Sequence, residues 1–376
     1  MAKKWVYSFE EGDATMRNLL GGKGCNLAEM TRIGLPVPPG FTVTTEACIS
    51  YMDTGKFPEG MWEEVLAHIE ALNKQTGKEF TNDDNPLLVS IRSGARESMP
   101  GMMDTILNVG LTPGAVETMG KKFNDMRFAW DLYRRLIQMY SKVVLEVPGE
   151  DFEEIIDEER KRVGAETDAQ MTADGWQRCA ERFIKLAEKF TGKPFPHDPY
   201  KQLELGIEAV FKSWNGKRAV DYRNHYGYPH TWGTATNVQM MVYGNIADGV
   251  SGTGVAFTRN PATGEKKFYG EYLLNAQGED VVSGAHTPTE VSGLANEIPA
   301  AWNELMKVSD ILEEHYRETQ DIEFTIESGV LWMLQTRSGK RTAASAVKIA
   351  VDMVSEGLIT PAEAVARISP DMIDQM

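Results

Sequence analysis

An α+β fold with an inserted helical block is what this sequence predicts, and three patterns carry the prediction. Short apolar runs bounded by glycine and proline recur before residue 110 and again from 216 to 340, which is how strands are punctuated. From roughly 111 to 215 the apolar residues recur at helical spacing instead. The stretch DIEFTIESGVLWMLQTR, Asp321 to Arg337, alternates with a period of two on both sides of Ser328-Gly329 and reads as a β-hairpin.

In chain order, the first strand is Trp5 to Phe9, followed by NLLGGKGCNLAEM. Gly21, Gly22 and Gly24 bracket Lys23, with a helix expected to begin near Asn26 and run through Leu27 and Met30. A glycine loop that delivers a lysine to a helix N-terminus favours an anion; the same residues also describe a turn with a surface lysine. Gly24 follows the lysine where a Walker loop needs Ser or Thr, and Leu27 stands where a dinucleotide fingerprint needs its third glycine, so neither motif is complete. A proline-bounded strand, Phe41 to Val43, precedes Thr44 or Thr45 as a helix cap.

Leu87, Leu88, Val89 and Ile91 form a buried-type strand that is expected to deliver Arg92 into the loop SGARESMPGMMDT, which carries Arg96, Gly94, Pro100 and Gly101. Arginines at a strand end beside glycines suit bidentate phosphate recognition. Paired with neighbouring acids, they would be structural instead. In the helical block, Trp176, Ala180, Phe183, Ala187 and Phe190 share one stripe, Leu203, Ile207, Val210 and Trp214 another, and both read as core. Thr172 is the expected cap, and DFEEIIDEERKR starts acidic and ends basic, as the helix dipole favours.

Strands return from Ala235 to Tyr243 and from Val255 to Phe257, with a turn at Pro261 to Gly264 and then FYGEYLLNAQGED. Gln239, Met240, Met241 and Val242 have backbone groups and thioethers suited to a purine, although a methionine pair in a strand also serves as plain packing. Two C-terminal helices follow the hairpin: Ala343 to Val354, ended by Gly357, and one opened by Thr360, Pro361 and Glu363 as a capping box.

The hairpin sorts its chemistry by face. Ile322, Phe324 and Ile326 share one side; Asp321, Glu323 and Thr325 share the other. A three-residue loop, Glu327 to Gly329, is expected. It places Val330, Trp332 and Leu334 on the apolar face, and Leu331, Met333, Gln335 and Arg337 beside the acids. Carboxylates next to an amide, a guanidinium and an apolar ledge match a Mg²⁺-nucleotide site; they equally match an edge strand with a solvated polar face.

Composition bounds the function. With 39 Lys and Arg against 55 Asp and Glu, the formal charge is −16, which argues against nucleic-acid binding. Cys25, Cys48 and Cys179 form neither a disulfide framework nor a zinc pattern, and no apolar run reaches the ~18 residues of a membrane span. A cytoplasmic protein that engages neither nucleic acid nor membrane is expected.

Taken together, GGKGCNLAEM, SIRSGARESMPGMMDT, SGTGVAFTRNP, GEYLLNAQGED and DIEFTIE with LQTR resemble the N-terminal nucleotide-binding domain of the pyruvate phosphate dikinase family, in order and over essentially the whole chain. The resemblance implies an ATP-grasp-like fold with two lobes around the nucleotide. The first lobe would be 1–112 with 198–243, the helical insertion 113–197, the second lobe 244–340, and 341–376 a connector. It implies transfer of the β-phosphoryl of ATP to a carrier histidine and of the γ-phosphoryl to inorganic phosphate, leaving AMP and pyrophosphate, on the way between pyruvate and phosphoenolpyruvate.

By position, Lys23 and Arg92 would bind phosphates. Glu323 and Gln335, with Asp321 beside them, would hold Mg²⁺, and Arg337 would stabilise the transferring group. Gln239 to Val242 would line the adenine pocket, and Gly101, Met103, Thr105 and Glu279 would also bind the nucleotide. Full-length members carry a phosphohistidine domain and are expected to form homodimers. None of His68, His197, His225, His230, His286 and His315 has the carrier's context, so an excised ATP-binding part or a natural truncation, working with a carrier supplied in trans, is expected. Rival readings are the ATP half of a phosphoenolpyruvate synthase-like dikinase, or a non-catalytic nucleotide-binding module.

Overall fold

The computed structural model describes residues 3–282 and 287–374, and the chain divides into two compact units, Met1–Arg32 with Pro38–Met241 and Ile33–Val37 with Val242–Met376.

The first unit is built on an antiparallel sheet of β1 (Val6–Ser8), β2 (Gly40–Val43), β3 (Val89–Ala95), β4 (Thr105–Val109) and β5 (Thr234–Met240), in the order β1-β2-β5-β3-β4. Period-two alternation gives the sheet two unlike faces. One carries Phe41, Val43, Val89, Ile91 and Val238, all fully buried. The opposite face carries Thr42, Ser90, Arg92, Gly94, Asn237 and Gln239, and the helix Arg17–Arg32 packs there. Thr44 caps the helix Thr45–Thr54, its hydroxyl accepting from the Ala47 N–H.

Four helices, Pro113–Lys122, Met126–Val143, Glu150–Val163 and Ala173–Thr191, make the block after β4. Thr172 caps the last of them, and Phe152 meets Phe183 edge-on at 4.9 Å. The expected core stripe holds through Trp176, Ala180, Phe183 and Ala187. Phe190, in the last turn of that helix, is the exception at 55% exposed. Asp131 is buried in this block, and against the cost of that burial Arg134 and Arg135 hold its carboxyl down at about 2.

The second unit contains β6 (Gly252–Phe257), β7 (Tyr269–Leu274), β8 (Thr289–Glu290), β9 (Gln320–Glu327) and β10 (Val330–Ser338), in the antiparallel order β10-β9-β6-β7-β8. The helix Pro299–Tyr316, buried along Leu305, Val308 and Leu312, packs on β9 and β10. Ile33–Val37 belongs to this unit, with the Met333 N–H donating to the Pro36 carbonyl at 2.7 Å.

The hairpin corrects the expected loop. Val330 pairs with Glu327, so the turn has two residues, Ser328 (φ 48°) and Gly329 (φ 82°), both left-handed as the tightest hairpin turns require. Serine tolerates that conformation because it is held on three sides. Its N–H donates to Ser251 Oγ at 2.8 Å, its hydroxyl donates to Asp248 at 2.8 Å, and the Gly329 N–H donates to the Val250 carbonyl at 3.0 Å. Leu331 and Met333 therefore oppose Ile326 and Phe324 and lie fully buried in the core, not beside the acids as an apolar ledge; Trp332 faces Thr325 instead.

A β-bulge at Leu334 then inserts one residue and reverses the alternation. Beyond it Gln335 pairs with Glu323 and Arg337 with Asp321. The polar pairing expected from a three-residue loop is thus reached by a two-residue loop and a bulge.

The C-terminal helices are Ala343–Ser355, Pro361–Ala366 and Pro370–Asp374, with the capping box of Thr360 and Glu363 formed as expected. Ile349, Met353 and Ile359 form their core. Arg259, fully buried just beyond β6, joins them to the sheet. Its guanidinium donates to both Glu313 oxygens at 2.8 Å and to both Glu356 oxygens at 2.8 and 2.9 Å. Among the described residues no helix is long and apolar enough to cross a membrane.

Candidate functional site

In the first unit the glycine loop is shorter than expected. Gly21, at φ 70° and ψ 170°, breaks the helix Arg17–Arg32, whose regular part runs from 22 to 32. Lys23 therefore sits in the first helical turn, not in a loop before Asn26, because Gly22 and Gly24 continue the helix once Gly21 has turned the chain. The helix dipole makes that turn favourable for phosphate.

Close packing dictates the glycines. A Cβ at Gly21 would run into the Gly94 carbonyl, and one at Gly24 would lie 2.8 Å from both Asn237 Oδ1 and Thr42 Oγ1. Gly21→Ala is expected to destabilise the chain by about 2 kcal/mol, from left-handed strain plus the collision; a urea midpoint equal to that of the parent chain would contradict this.

Arg92 is mid-strand rather than at a strand end, because β3 continues to Ala95 against β5. It pairs with Thr105 on one side and Asn237 on the other. Thr42, Asn237, Arg92 and Thr105 form a polar row across four strands beneath the helix that carries Lys23. Thr42 donates to Asn237 Oδ1 at 2.9 Å, and Asn237 Nδ2 donates to the Arg92 carbonyl at 3.4 Å. The sequence reading missed Thr42 and Asn237. Their signal is an asparagine inside a strand of buried type, a residue strands usually avoid.

Gly101, exposed and at φ 71°, and Met103 lie in the loop between β3 and β4. Arg218 fastens that loop by donating to the Gly101 carbonyl at 3.1 Å and to Asp104 at 3.2 Å. At the end of β5, Gln239 is buried and its amide donates to the Pro38 carbonyl at 3.0 Å. Met240 and Met241 donate their N–H groups to the Pro39 and Leu88 carbonyls, both at 2.9 Å. Val242 begins the next segment of the second unit. The side chain of Glu279 lies outside the described residues, as does His286.

In the second unit the candidate residues share one hairpin face. Arg337 Nε donates to Asp321 at 2.7 Å. Burial nonetheless pushes the Asp321 carboxyl above its ordinary value, outweighing the pull of Arg337, and Glu323 adds to the upward push. Glu323, half-buried, stands opposite Gln335, which is 9% exposed, so a carboxylate and an amide are cross-strand neighbours on one face. Among the described residues no group of three or more His, Cys, Asp or Glu could cage a metal. Two oxygens on one side fit Mg²⁺ all the same, since that ion is usually held by one or two protein oxygens together with substrate phosphates.

Comparison with known proteins identifies the family. A family profile described as pyruvate phosphate dikinase, AMP/ATP-binding domain, matches residues 17–57, 53–300 and 294–358. The chain is 54% identical over 375 residues to pyruvate, phosphate dikinase of Clostridium symbiosum, covering 99% of this chain and 43% of that protein. It is 54% identical over 390 residues to the enzyme of the same name from Rhizobium meliloti (strain 1021), with the same coverage. With the chloroplastic pyruvate, phosphate dikinase 1 of Zea mays the identity is 48% over 379 residues, covering 100% of this chain and 40% of that protein.

The architecture is that of an ATP-grasp-like α+β domain. The chain belongs to the pyruvate phosphate dikinase family, as its AMP/ATP-binding domain. It spans less than half the length of the curated relatives it matches.

Proposed function

We propose that this chain binds Mg·ATP and passes the β-phosphoryl group to a histidine on a carrier domain supplied in trans, with the γ-phosphoryl going to inorganic phosphate and AMP and pyrophosphate leaving. The observation that supports it most is the bulge at Leu334, which turns Gln335 and Arg337 onto the face of Glu323 and Asp321. Bulges often stand beside active sites, where they re-aim a side chain.

Glu323 and Gln335 would hold Mg²⁺. When bound, the ion neutralises polyphosphate charge. Asp321, already engaged by Arg337, would act mainly by fixing that guanidinium where negative charge develops and secondarily as a further oxygen near the metal. Lys23 and Arg92 would take phosphate oxygens, with the first helical turn adding its N–H groups. Gly101, Met103, Thr105 and Glu279 would contact the nucleotide, and Gln239 to Val242 would line the adenine. Gln239, whose amide is committed to Pro38 and whose carbonyl accepts from Ser90 Oγ, would line the pocket by packing alone. Phosphoryl transfer is mostly positioning and charge neutralisation, so such a site needs no nucleophile of its own.

A homodimeric full-length protein in the cytoplasm belongs to the same proposal. Cys25, Cys48 and Cys179 support a reducing compartment, being unpaired and buried. AMP formation from ATP, Mg²⁺ and inorganic phosphate tests the reading. Product is expected only when a phosphohistidine domain of the family is added; ATP binding without AMP in either case would overturn the transfer.

A further inference from the structure

We infer that Arg96 is a third phosphate-group receptor of the first unit, acting with Lys23 and Arg92 from a perch on the face of Trp232. The inference rests on the nucleotide-binding reading above and deepens it by adding a residue that the comparisons do not assign.

The observation behind it is a cation without a carboxylate in a chain of net charge −16. Several other arginines are paired, with acids or, like Arg223, with carbonyl and imidazole acceptors. Arg17 reaches Glu97 at 3.0 Å, Arg218 reaches Asp104 at 3.2 Å, and Arg259 holds two glutamates. Among the described residues Arg96 has no ion pair. Its guanidinium carbon lies 5.3 Å from the centre of the Trp232 ring, and its Nε is buried with no hydrogen-bond partner. The acid that most affects it electrostatically is Glu46, which is paired with Lys3 at 2.7 Å. Burial also pulls the Arg96 pKa below its ordinary value, as expected for a guanidinium that has lost water without gaining a counter-ion. A buried donor left unpaired is costly, and a cost of that kind is offset when a ligand supplies the acceptor.

Position supplies the ligand's chemistry. Arg96 follows Arg92 by four residues, immediately beyond the end of β3 at Ala95. Its carbonyl accepts from Arg17 Nε at 2.8 Å and would lie 3.2 Å from a Cβ on Gly22, the residue before Lys23. Its backbone therefore touches the helical turn that favours phosphate. A guanidinium lying against an indole keeps its planar fork of donors together, the geometry that binds two oxygens of one phosphate group. The group it takes is either the terminal phosphate of ATP or the inorganic phosphate acceptor, and the two sources separate in solution.

Calorimetry on the whole chain with Arg96→Gln tests this, using three probes: AMP, Mg·ATP, and inorganic phosphate added to the ATP-saturated chain. AMP affinity is expected to stay within twofold, while either ATP or inorganic phosphate weakens by about tenfold or more, the scale of losing a bidentate charged contact. The probe that weakens names the source. Unchanged affinity for all three, or equal losses that include AMP, would overturn the inference and leave Arg96 as packing for Trp232. If Arg96→Gln does not fold, Arg96→Lys keeps the charge and stem but lacks the fork, and a smaller loss confined to the same probe is expected. A parent chain that binds neither AMP nor ATP would refute the nucleotide reading itself, a result distinct from any of these.

Discussion

Glu323→Ala is expected to slow phosphoryl transfer to an added carrier domain by about 10²- to 10³-fold, the range seen when one preorganised electrostatic contact to a reacting centre is removed. The residue stands half-buried on β9 opposite Gln335 and beside the Asp321 and Arg337 pair. Its loss would remove a metal oxygen and leave the fold in place, since the buried face of the same strand is carried by Ile322, Phe324 and Ile326. The comparison to make is the rate of AMP formation at saturating ATP over a range of Mg²⁺ concentrations. Partial recovery at high Mg²⁺ is expected of a lost ligand. An unchanged rate at every Mg²⁺ concentration would remove Glu323 from the site.

Arg259→Met is expected to have the largest effect on stability, about 3–5 kcal/mol, because removing one member of a buried ion network leaves the others charged and unpaired. Glu313 is 6% exposed and both its oxygens face Arg259, while Thr258 donates to the same carboxylate at 2.9 Å. Adding Glu313→Gln should recover part of the loss, since the stranded charge is then gone; denaturant midpoints of the single and double variants measure both effects.

The pH dependence carries a sign as well. The hydrogen bonds from Arg259, followed by opposing desolvation and the help of Lys266, hold the Glu356 carboxyl below its ordinary value. Its contribution is therefore present above the ordinary glutamate value and lost as pH falls through the depressed one. Arg259→Met should flatten that acid-side loss. A variant as stable as its parent, with the same acid profile, would mean that Arg259 does not hold the C-terminal helices.

Local chemistry was legible and remote chemistry was not. Thr44, Thr172 and Thr360 announce their helices because a cap needs only a hydroxyl and the next three residues. The hairpin's existence and its acidic face follow from alternation alone. Its turn does not, because what stabilises left-handed Ser328 is Asp248, 80 residues away in sequence. The bulge at Leu334 is equally hidden, since a bulge leaves the composition of a strand unchanged.

The shorter turn and the bulge together set Gln335 and Arg337 opposite the acids, so that pairing was expected for a mistaken geometric reason, while Leu331 and Met333 went to the core instead. In the first unit GGKG pointed to an anion site, yet the start of its helix depended on Gly21 closing against Gly94, a contact across 73 residues of chain. The role of Arg259 was hidden because nothing beside it in sequence discloses Glu313 and Glu356.

The most direct measurement is a double-mutant cycle on Glu323 and Gln335, with the affinity for ATP measured by calorimetry at zero and saturating Mg²⁺. If the bulge makes these two residues one metal-holding pair, each alanine variant loses the Mg²⁺-dependent gain in affinity and the double variant loses little more, while ATP binding without Mg²⁺ changes less than twofold throughout. Losses that simply add, or that appear equally without Mg²⁺, would mean that the two side chains do not share an ion.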